Sequence, residues 1–242
     1  MSFTGRERPS RIAAPLETLG GIPGWRDRSV SAEVRFLGRS ADGGRGAALP
    51  ADWVGEERLV AHMHQVHGAT VLVARAGASG EGDAMVSAQA GLALVVVTAD
   101  CVPILVAATD RVAAIHAGWR GLVGGVIPAA LRCFDDPGRL IAWIGPAIGP
   151  CCYEVGEEVA GPVVARSSSA VRSQGSRGRP HLDLPLAAEI ELARCGVGEI
   201  RRLGICTFCH AGELESYRRE GAGAGRNRSA IWLRARAESQ VL

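Results

Sequence analysis

At 242 residues and 25.3 kDa the chain has the length of one large domain or two small ones, and 47% hydrophobic residues supply a real core, which excludes disorder of the whole. Lys+Arg 27 against Asp+Glu 25 leaves a formal charge of +2, too balanced for a surface built to hold nucleic acid or lipid headgroups. Seven cysteines, including the neighbours Cys151 and Cys152, do not read as a disulfide framework in a chain this large, so reduced thiols in an unexported, cytoplasmic protein are expected.

In chain order, the opening MSFTGRERPSRIAAPLETLG lacks the apolar segment of a secretory signal. Residues up to about Leu59 read as irregular. Gly20-Gly21, Pro23-Gly24 and Asp42-Gly43-Gly44 signal turns there, and only Ser31 to Leu37 alternates like a strand. Short apolar runs typical of buried strands follow at Thr70 to Ala74, Leu92 to Thr98, Ile104 to Ala108, Val112 to His116 and Leu140 to Ile144. The most apolar stretch, Gly91 to Ala108, is broken by Thr98, Asp100 and Pro103 and is too short to span a bilayer. Helical patterns cover Gly121 to Phe134, Gly156 to Val164, Pro185 to Cys195 behind an Asp183 cap, and Ala211 to Arg218. Pro128 predicts a kink or a late start in the first of these. The segment SSSAVRSQGSRGRP, with basic residues from Arg166 to Arg179, reads as a solvated surface loop. Strands alternating with helices, and the pair 104 to 108 and 112 to 116 joined by Thr109-Asp110-Arg111, predict an α/β chain with a mixed sheet, most simply one domain.

Chemistry-bearing residues concentrate where apolar runs stop: His62 to Gly68, Thr98 to Pro103 and Ile115 to Gly121. Strand ends offer rigid positions while the loops beyond them stay accessible. His67, Cys101 and His116 are the imidazole and thiolate donors that a borderline-soft ion such as zinc prefers, and three of them leave a fourth position open. Against this stands the plainer reading of each as a hydrogen-bonded His or a buried Cys. Cys206 and Cys209 form one C-x-x-C followed by His210. No second such pair is near it in sequence, so a simple turn is the leading reading there. Gly145-Pro146 and Gly149-Pro150 read as backbone fixtures ahead of Cys151, since no helix-opening Gly-Lys follows them.

Ordered blocks then add a resemblance. QVHG at 65 to 68, GDAMVS at 82 to 87, TADCVPIL at 98 to 105, AAIHAGWRGLVGGV at 113 to 126, IGPAIGPCCYEVGEEV at 144 to 159 and SYRREGAGAGRNRSAIWL at 216 to 233 resemble the YfiH family, also called the laccase-domain or multicopper polyphenol oxidase family. The resemblance runs from His64 to Trp232; before residue 60 the family's Ser-Leu-Asn-Leu-Gly and Gly-Asp blocks are absent. It implies a layered α/β/β/α sandwich with mixed sheets over a single domain of 1–242, related to cysteine-dependent deamidase toxins. It also implies His67, Cys101 and His116 as the metal ligands.

What the resemblance implies about activity is phosphorolysis of adenosine, inosine and methylthioadenosine, with adenosine deamination alongside. A metal that lowers the pKa of water to about 7 suits deamination. Arg120, four residues after His116, is the candidate for gripping phosphate, since a guanidinium forms two parallel bonds to it; Arg218 is a second candidate. Asp83 is the candidate carboxylate for proton transfer or for support of a ligand His, against simple turn capping after Gly82. The expected partners are thus a nucleoside and phosphate, for a monomer or homodimer that binds neither nucleic acid nor membrane. Three other readings stay open. One is a copper oxidase, with Met63 or Met85 as an axial ligand, although six His with one His-x-His pair (His62 and His64) are too few for a three-copper cluster. Another is a hydrolase using Cys101 as nucleophile, extending to editing of peptidoglycan precursors, with Asp100 able to orient an imidazole only if the chain turns there. The last is a purely structural metal in a binding protein, with Cys151, Cys152 or another thiol as fourth ligand.

Overall fold

The computed structural model describes residues 10–11, 16–19, 22–40, 59–175 and 178–235. The Gly20-Gly21 and 42–44 turn signals lie outside these. Sixteen strands form along the described chain: β1 (Ser10–Arg11), β2 (Glu17–Leu19), β3 (Ile22–Arg28), β4 (Ala32–Leu37), β5 (Val60–His64), β6 (Val71–Val73), β7 (Gly77–Glu81) and β8 (Ala84–Ser87), followed by β9 (Ala93–Thr98), β10 (Val102–Ala107), β11 (Val112–Ala117), β12 (Ile141–Ile144), β13 (Arg172–Gln174), β14 (Pro180–Leu182), β15 (Glu199–Arg202) and β16 (Asn227–Leu233). Two seven-stranded mixed sheets result, ordered β1-β15-β12-β10-β11-β8-β6 and β2-β3-β4-β16-β9-β5-β7.

The apolar runs of β9, β10 and β11 are continuous because both faces of these strands are buried. On one side of the first sheet, Val102, Ile104, Ile115 and Ala117 pack under helices through Leu122, Ile127, Ala130, Ala188 and Leu192. On its other side, Leu105, Ala114 and Trp143 meet Val34, Phe36, Leu94, Val96 and Ile231 of the second sheet. Helices, first sheet and second sheet are therefore stacked in layers. Among the described residues no helix covers the outer face of the second sheet, and none is long and apolar enough to cross a membrane.

Several predicted elements change in detail. The stretch from 121 to 134 is two short helices, α1 (Trp119–Gly124) and α2 (Val126–Leu131), and the break falls at Gly125, not Pro128. Gly125 takes φ 80°, the left-handed conformation that ends one helix and turns into the next, while Pro128 sits in the first turn of α2, where its missing N–H costs nothing. Two further helices, α3 (Glu157–Arg166) and α4 (Leu184–Arg194), appear as expected, the latter capped by Asp183, which accepts the Leu186 N–H at 2.8 Å. The helix expected over Ala211 to Arg218 is absent; only α5 (Tyr217–Glu220) forms, behind a Ser216 cap. The region before Leu59 is not irregular where it is described. Pro23-Gly24, read as a turn, lies inside β3, which pairs antiparallel with β4 and places Trp25 opposite Phe36. The Ser/Gly-rich stretch holds the β13–β14 hairpin, and two of the arginines in this region are paired: Arg166 with Glu191 at 2.5 Å and Arg172 with Glu157 at 2.6 Å.

Candidate metal centre and active site

One edge of the stacked sheets collects the site. The link of residues 99–101 carries the chain from β9 in the second sheet to β10 in the first, and Cys101 sits at its end. The β10–β11 hairpin register pairs Pro103 with His116, bringing His116 beside Cys101. On the other flank of β11, β8 pairs Ala84 with Ile115, so Asp83 falls next to His116, whose N–H donates to the Asp83 carbonyl at 2.8 Å. His67 arrives from the second sheet, in the loop after β5. Gln65 shapes that loop by using its side-chain amide like a strand backbone: it donates to the Val97 carbonyl at 2.7 Å and accepts the Val97 N–H at 2.9 Å.

The ligand atoms of His67, Cys101 and His116 lie within 4.8 Å of one another. The two imidazoles meet edge to face, with ring centroids 4.8 Å apart. His116 is buried and His67 is exposed, so the cluster has one closed and one open side. Gly118 forms its floor: a Cβ there would stand 3.0 Å from His67 Cδ2 and 3.1 Å from Cys101 Sγ, which explains the glycine of the HAGWRG block.

Both entering loops are strained and both are held by a carboxylate. His67 has φ 62° and Asp100 has φ 92°, conformations that cost energy for residues with a Cβ. Asp83, fully buried, accepts the His67 N–H at 2.9 Å and the Gly68 N–H at 2.6 Å, and its Oδ1 accepts His116 Nδ1 at 2.8 Å. Asp100 Oδ1 accepts the Thr207 hydroxyl at 2.6 Å, its Oδ2 accepts the Arg218 N–H at 2.7 Å, and its own carbonyl accepts the Ile148 N–H at 2.9 Å. Asp100 therefore orients the turn, not an imidazole.

Electrostatics follow from this packing. Burial opposes charge on Asp83, yet the His116 hydrogen bond and the N–H groups of Gly68 and His67 hold its carboxyl below the usual range. Burial alone would depress His116, but hydrogen bonds to Asp83 and Cys101 lift it to about 9. Burial alone would raise the Cys101 thiol, but hydrogen bonds with His116 and His67 draw it down to about 7. Because Asp83 occupies Nδ1, His116 presents Nε2 to the cluster.

Arg120 stands exposed in the first turn of α1 with its guanidinium 4.5 Å over the Trp119 ring, and among the described residues no carboxylate pairs with it. Arg218 is more committed. Its guanidinium donates to the carbonyls of Glu154 at 2.8 Å and Cys152 at 3.5 Å and lies 5.2 Å over the Tyr153 ring. Tyr153 escaped the sequence reading, although it sits in the CCYEV block: burial and the nearby Cys101 charge push its phenol up to about 12, while the Arg218 and Arg120 charges act in the opposite sense. Thr207 was also missed, since nothing local links it to Asp100.

Of the other histidines, His62 and His64 stay on β5 outside the cluster, His181 Nδ1 bonds the Pro150 carbonyl at 2.6 Å, and His210 Nδ1 bonds the Cys206 carbonyl at 3.0 Å. Met63 and Met85 pack in the apolar core between the sheets. The metal-competent groups of three or more donors among the described residues are the His67–Cys101–His116 set and a second set, Cys151, Cys152, Cys206 and Cys209.

A layered α/β protein with a His-Cys-His cluster at the edge of two mixed sheets is the class that fold and site define. The model of the family described as multi-copper polyphenol oxidoreductase laccase matches residues 47–234, and the chain belongs to that family. A purine nucleoside phosphorylase of Pseudomonas aeruginosa is 41% identical over 177 residues, 71% of this chain and 73% of its own. Another, from Xylella fastidiosa, is 37% identical and aligns over 95% of this chain and 90% of its own. Among solved structures, a Neisseria meningitidis protein superposes with a TM-score of 0.76 at 28% identity, covering 88% of this chain and 99% of the other. YfiH of Bacillus licheniformis, at 22% identity, shares the fold with a TM-score of 0.78 over 94% of this chain and 100% of its own.

Proposed function

We propose that the chain is a zinc-dependent purine nucleoside enzyme that splits adenosine, inosine and methylthioadenosine with phosphate and also deaminates adenosine. The observation that carries this reading is the convergence of His67, Cys101 and His116 within 4.8 Å, with the guanidinium of Arg120, unpaired with any carboxylate among the described residues, two residues beyond the cluster's floor at Gly118. The names of the relatives supply the substrate class.

Two imidazoles and one thiolate, with Asp83 behind His116, suit a borderline-soft ion in a three-ligand site with one position open. His67, Cys101 and His116 would hold the ion, and zinc bound there would supply Lewis-acid chemistry that lowers the pKa of water. A multicopper oxidase also needs a three-copper cluster of histidines, and the six histidines of this chain assemble no second cluster. Copper remains acceptable to the single site by ligand type alone.

The remaining work falls to the chain's own side chains. Arg120 grips phosphate through paired N–H bonds and holds it for attack on the ribose C1′, where the new C–O bond forms as the bond to the base breaks. Asp83 acts through His116, fixing its tautomer and the entry of His67, and is a positioning residue. Tyr153, close enough to Cys101 to feel its charge, keeps its proton at neutral pH. Arg218, held by main-chain carbonyls, supports the wall around Asp100 as well as offering a second cation.

Metal-loaded protein given adenosine and phosphate should yield adenine and ribose 1-phosphate; without phosphate it should yield inosine and ammonia. Neither product from fully loaded protein would remove the reading. One specific observation favours a second reading. The chain Asp83–His116–Cys101 has the order of a carboxylate, a base and a nucleophile, with the thiol drawn down to about 7, as a cysteine hydrolase acting on amides, including peptidoglycan precursors, would require. Full activity after complete chelation would select it.

A further inference from the structure

Cys151, Cys152, Cys206 and Cys209 play no part in that chemistry, yet their four sulfur atoms lie within 4.8 Å of one another. We propose that they form a second, structural metal site, a closed four-thiolate cage for zinc that clamps the two loops behind the active site.

Local chain geometry presents the sulfurs in pairs. Cys151 and Cys152 lie in the turn closed by the Cys152 and Tyr153 N–H groups on the Gly149 carbonyl, each at 3.0 Å. Cys206 and Cys209 lie in a second turn, beside the first because Ala147 and Cys206 form a parallel bridge and the Thr207 N–H donates to the Ala147 carbonyl at 3.1 Å. Cys209 Sγ is 3.7 Å from Cys151 Sγ and 3.4 Å from Cys152 Sγ. Four sulfurs bound tetrahedrally at zinc–sulfur length are about 3.8 Å apart, whereas a disulfide requires roughly 2.05 Å. The spacing is that of ligands around an ion.

Chemistry agrees with the spacing. All four donors are soft sulfurs, the set that selects zinc over harder cations. The Gly149 N–H points at Cys206 Sγ at 3.3 Å, a bond that stabilises a thiolate. The adjacent His210 places Nδ1 on the Cys206 carbonyl at 3.0 Å and lies outside the four-sulfur group. Four neighbouring thiolates repel one another strongly, and a divalent cation is what allows them to ionise together, their protons leaving to solvent as it binds.

The cage has a reach beyond itself. Thr207, between two of its cysteines, holds Asp100, and the carbonyls of Cys152 and Glu154 hold Arg218, whose N–H also bonds Asp100. One ion would thus brace the Asp100–Cys101 turn and the Tyr153 wall. The inference does not depend on the reaction at the first site.

Full-length protein, its Cys101→Ala variant and its Cys152→Ser/Cys209→Ser variant, each prepared in excess Zn(II), can be compared by metal analysis and by counting free thiols after denaturation without reductant. The wild type should carry one more equivalent of zinc than either variant, with all its thiols reduced. Metal-free Cys101→Ala titrated with Co(II) should develop the strong charge-transfer absorption of a thiolate-rich tetrahedral site; because this variant leaves the cage intact, its result stands even if the double variant folds poorly. A Cys101→Ala protein that takes up neither metal would overturn the proposal, as would a thiol count short by a pair because a disulfide has formed. Zinc bound equally by wild type and Cys101→Ala would support the cage while sinking the catalytic assignment.

Discussion

The two clusters make opposite use of the same ligand chemistry. His67, Cys101 and His116 stand at the ends of strands and in strained loops braced by buried carboxylates, and they supply three donors of two kinds. Cys151, Cys152, Cys206 and Cys209 stand on two turns near the surface and supply four donors of one kind. Three ligands on a rigid frame leave a place for substrate; four close the shell and leave only a brace. On the proposed assignments, donor count and backing, not the presence of cysteine, separate a reactive centre from a staple.

Removing a ligand from one cluster should spare the other. Cys101→Ala is expected to abolish turnover of adenosine by more than the roughly 100-fold that loss of a supporting group costs, with zinc lost from the first site alone. Metal analysis beside product formation checks this, and a variant that keeps all its zinc would show that the ligand assignment is wrong. Asp83→Asn should cost about 10- to 100-fold in zinc affinity at the first site, read by competition with a coloured chelator, because His116 loses its anionic partner. Replacing Arg120 by Ala should leave both metals in place and raise the KM for phosphate about tenfold or more, the value of a lost charge-assisted pair of bonds, with deamination unaffected.

The pH dependence of the first site has a definite sign. In the metal-free protein His116 keeps its proton up to about 9 and the Cys101 thiol up to about 7. Zinc must displace both protons below pH 7, one between 7 and 9, and neither above. Apparent affinity should therefore climb by about tenfold from pH 7 to pH 8 and more steeply below 7, flattening past 9. An affinity that is flat between pH 7 and 8 would mean that His116 enters the site already neutral.

Much of the site was legible before any coordinates. His67, Cys101 and His116 each follow an apolar run, and the motifs around them carry a specific family pattern, so their identity and the α/β class emerged from residue type and order. The strands of the core were also readable, because β9, β10 and β11 are buried on both faces and hence uninterrupted in sequence. The β3 strand was not, since Pro23-Gly24 has the local signature of a turn and is overruled only by pairing with β4. The expected break at Pro128 failed for a related reason: Pro is tolerated in a first helical turn, and the left-handed Gly125 ended the preceding helix.

By itself, then, the sequence determined which residues carry donor atoms suited to a metal and which stretches must be buried, since both depend on side-chain chemistry and local periodicity. Tertiary structure alone decided which groups meet. Strand register set His116 against Asp83 on one side and beside Cys101 on the other, a contact from Thr207 held Asp100 in its strained turn, and two cysteine pairs separated by more than fifty residues came together as one four-sulfur group. Each of these is a long-range pairing, governed by strand order and sheet packing that no local pattern encodes.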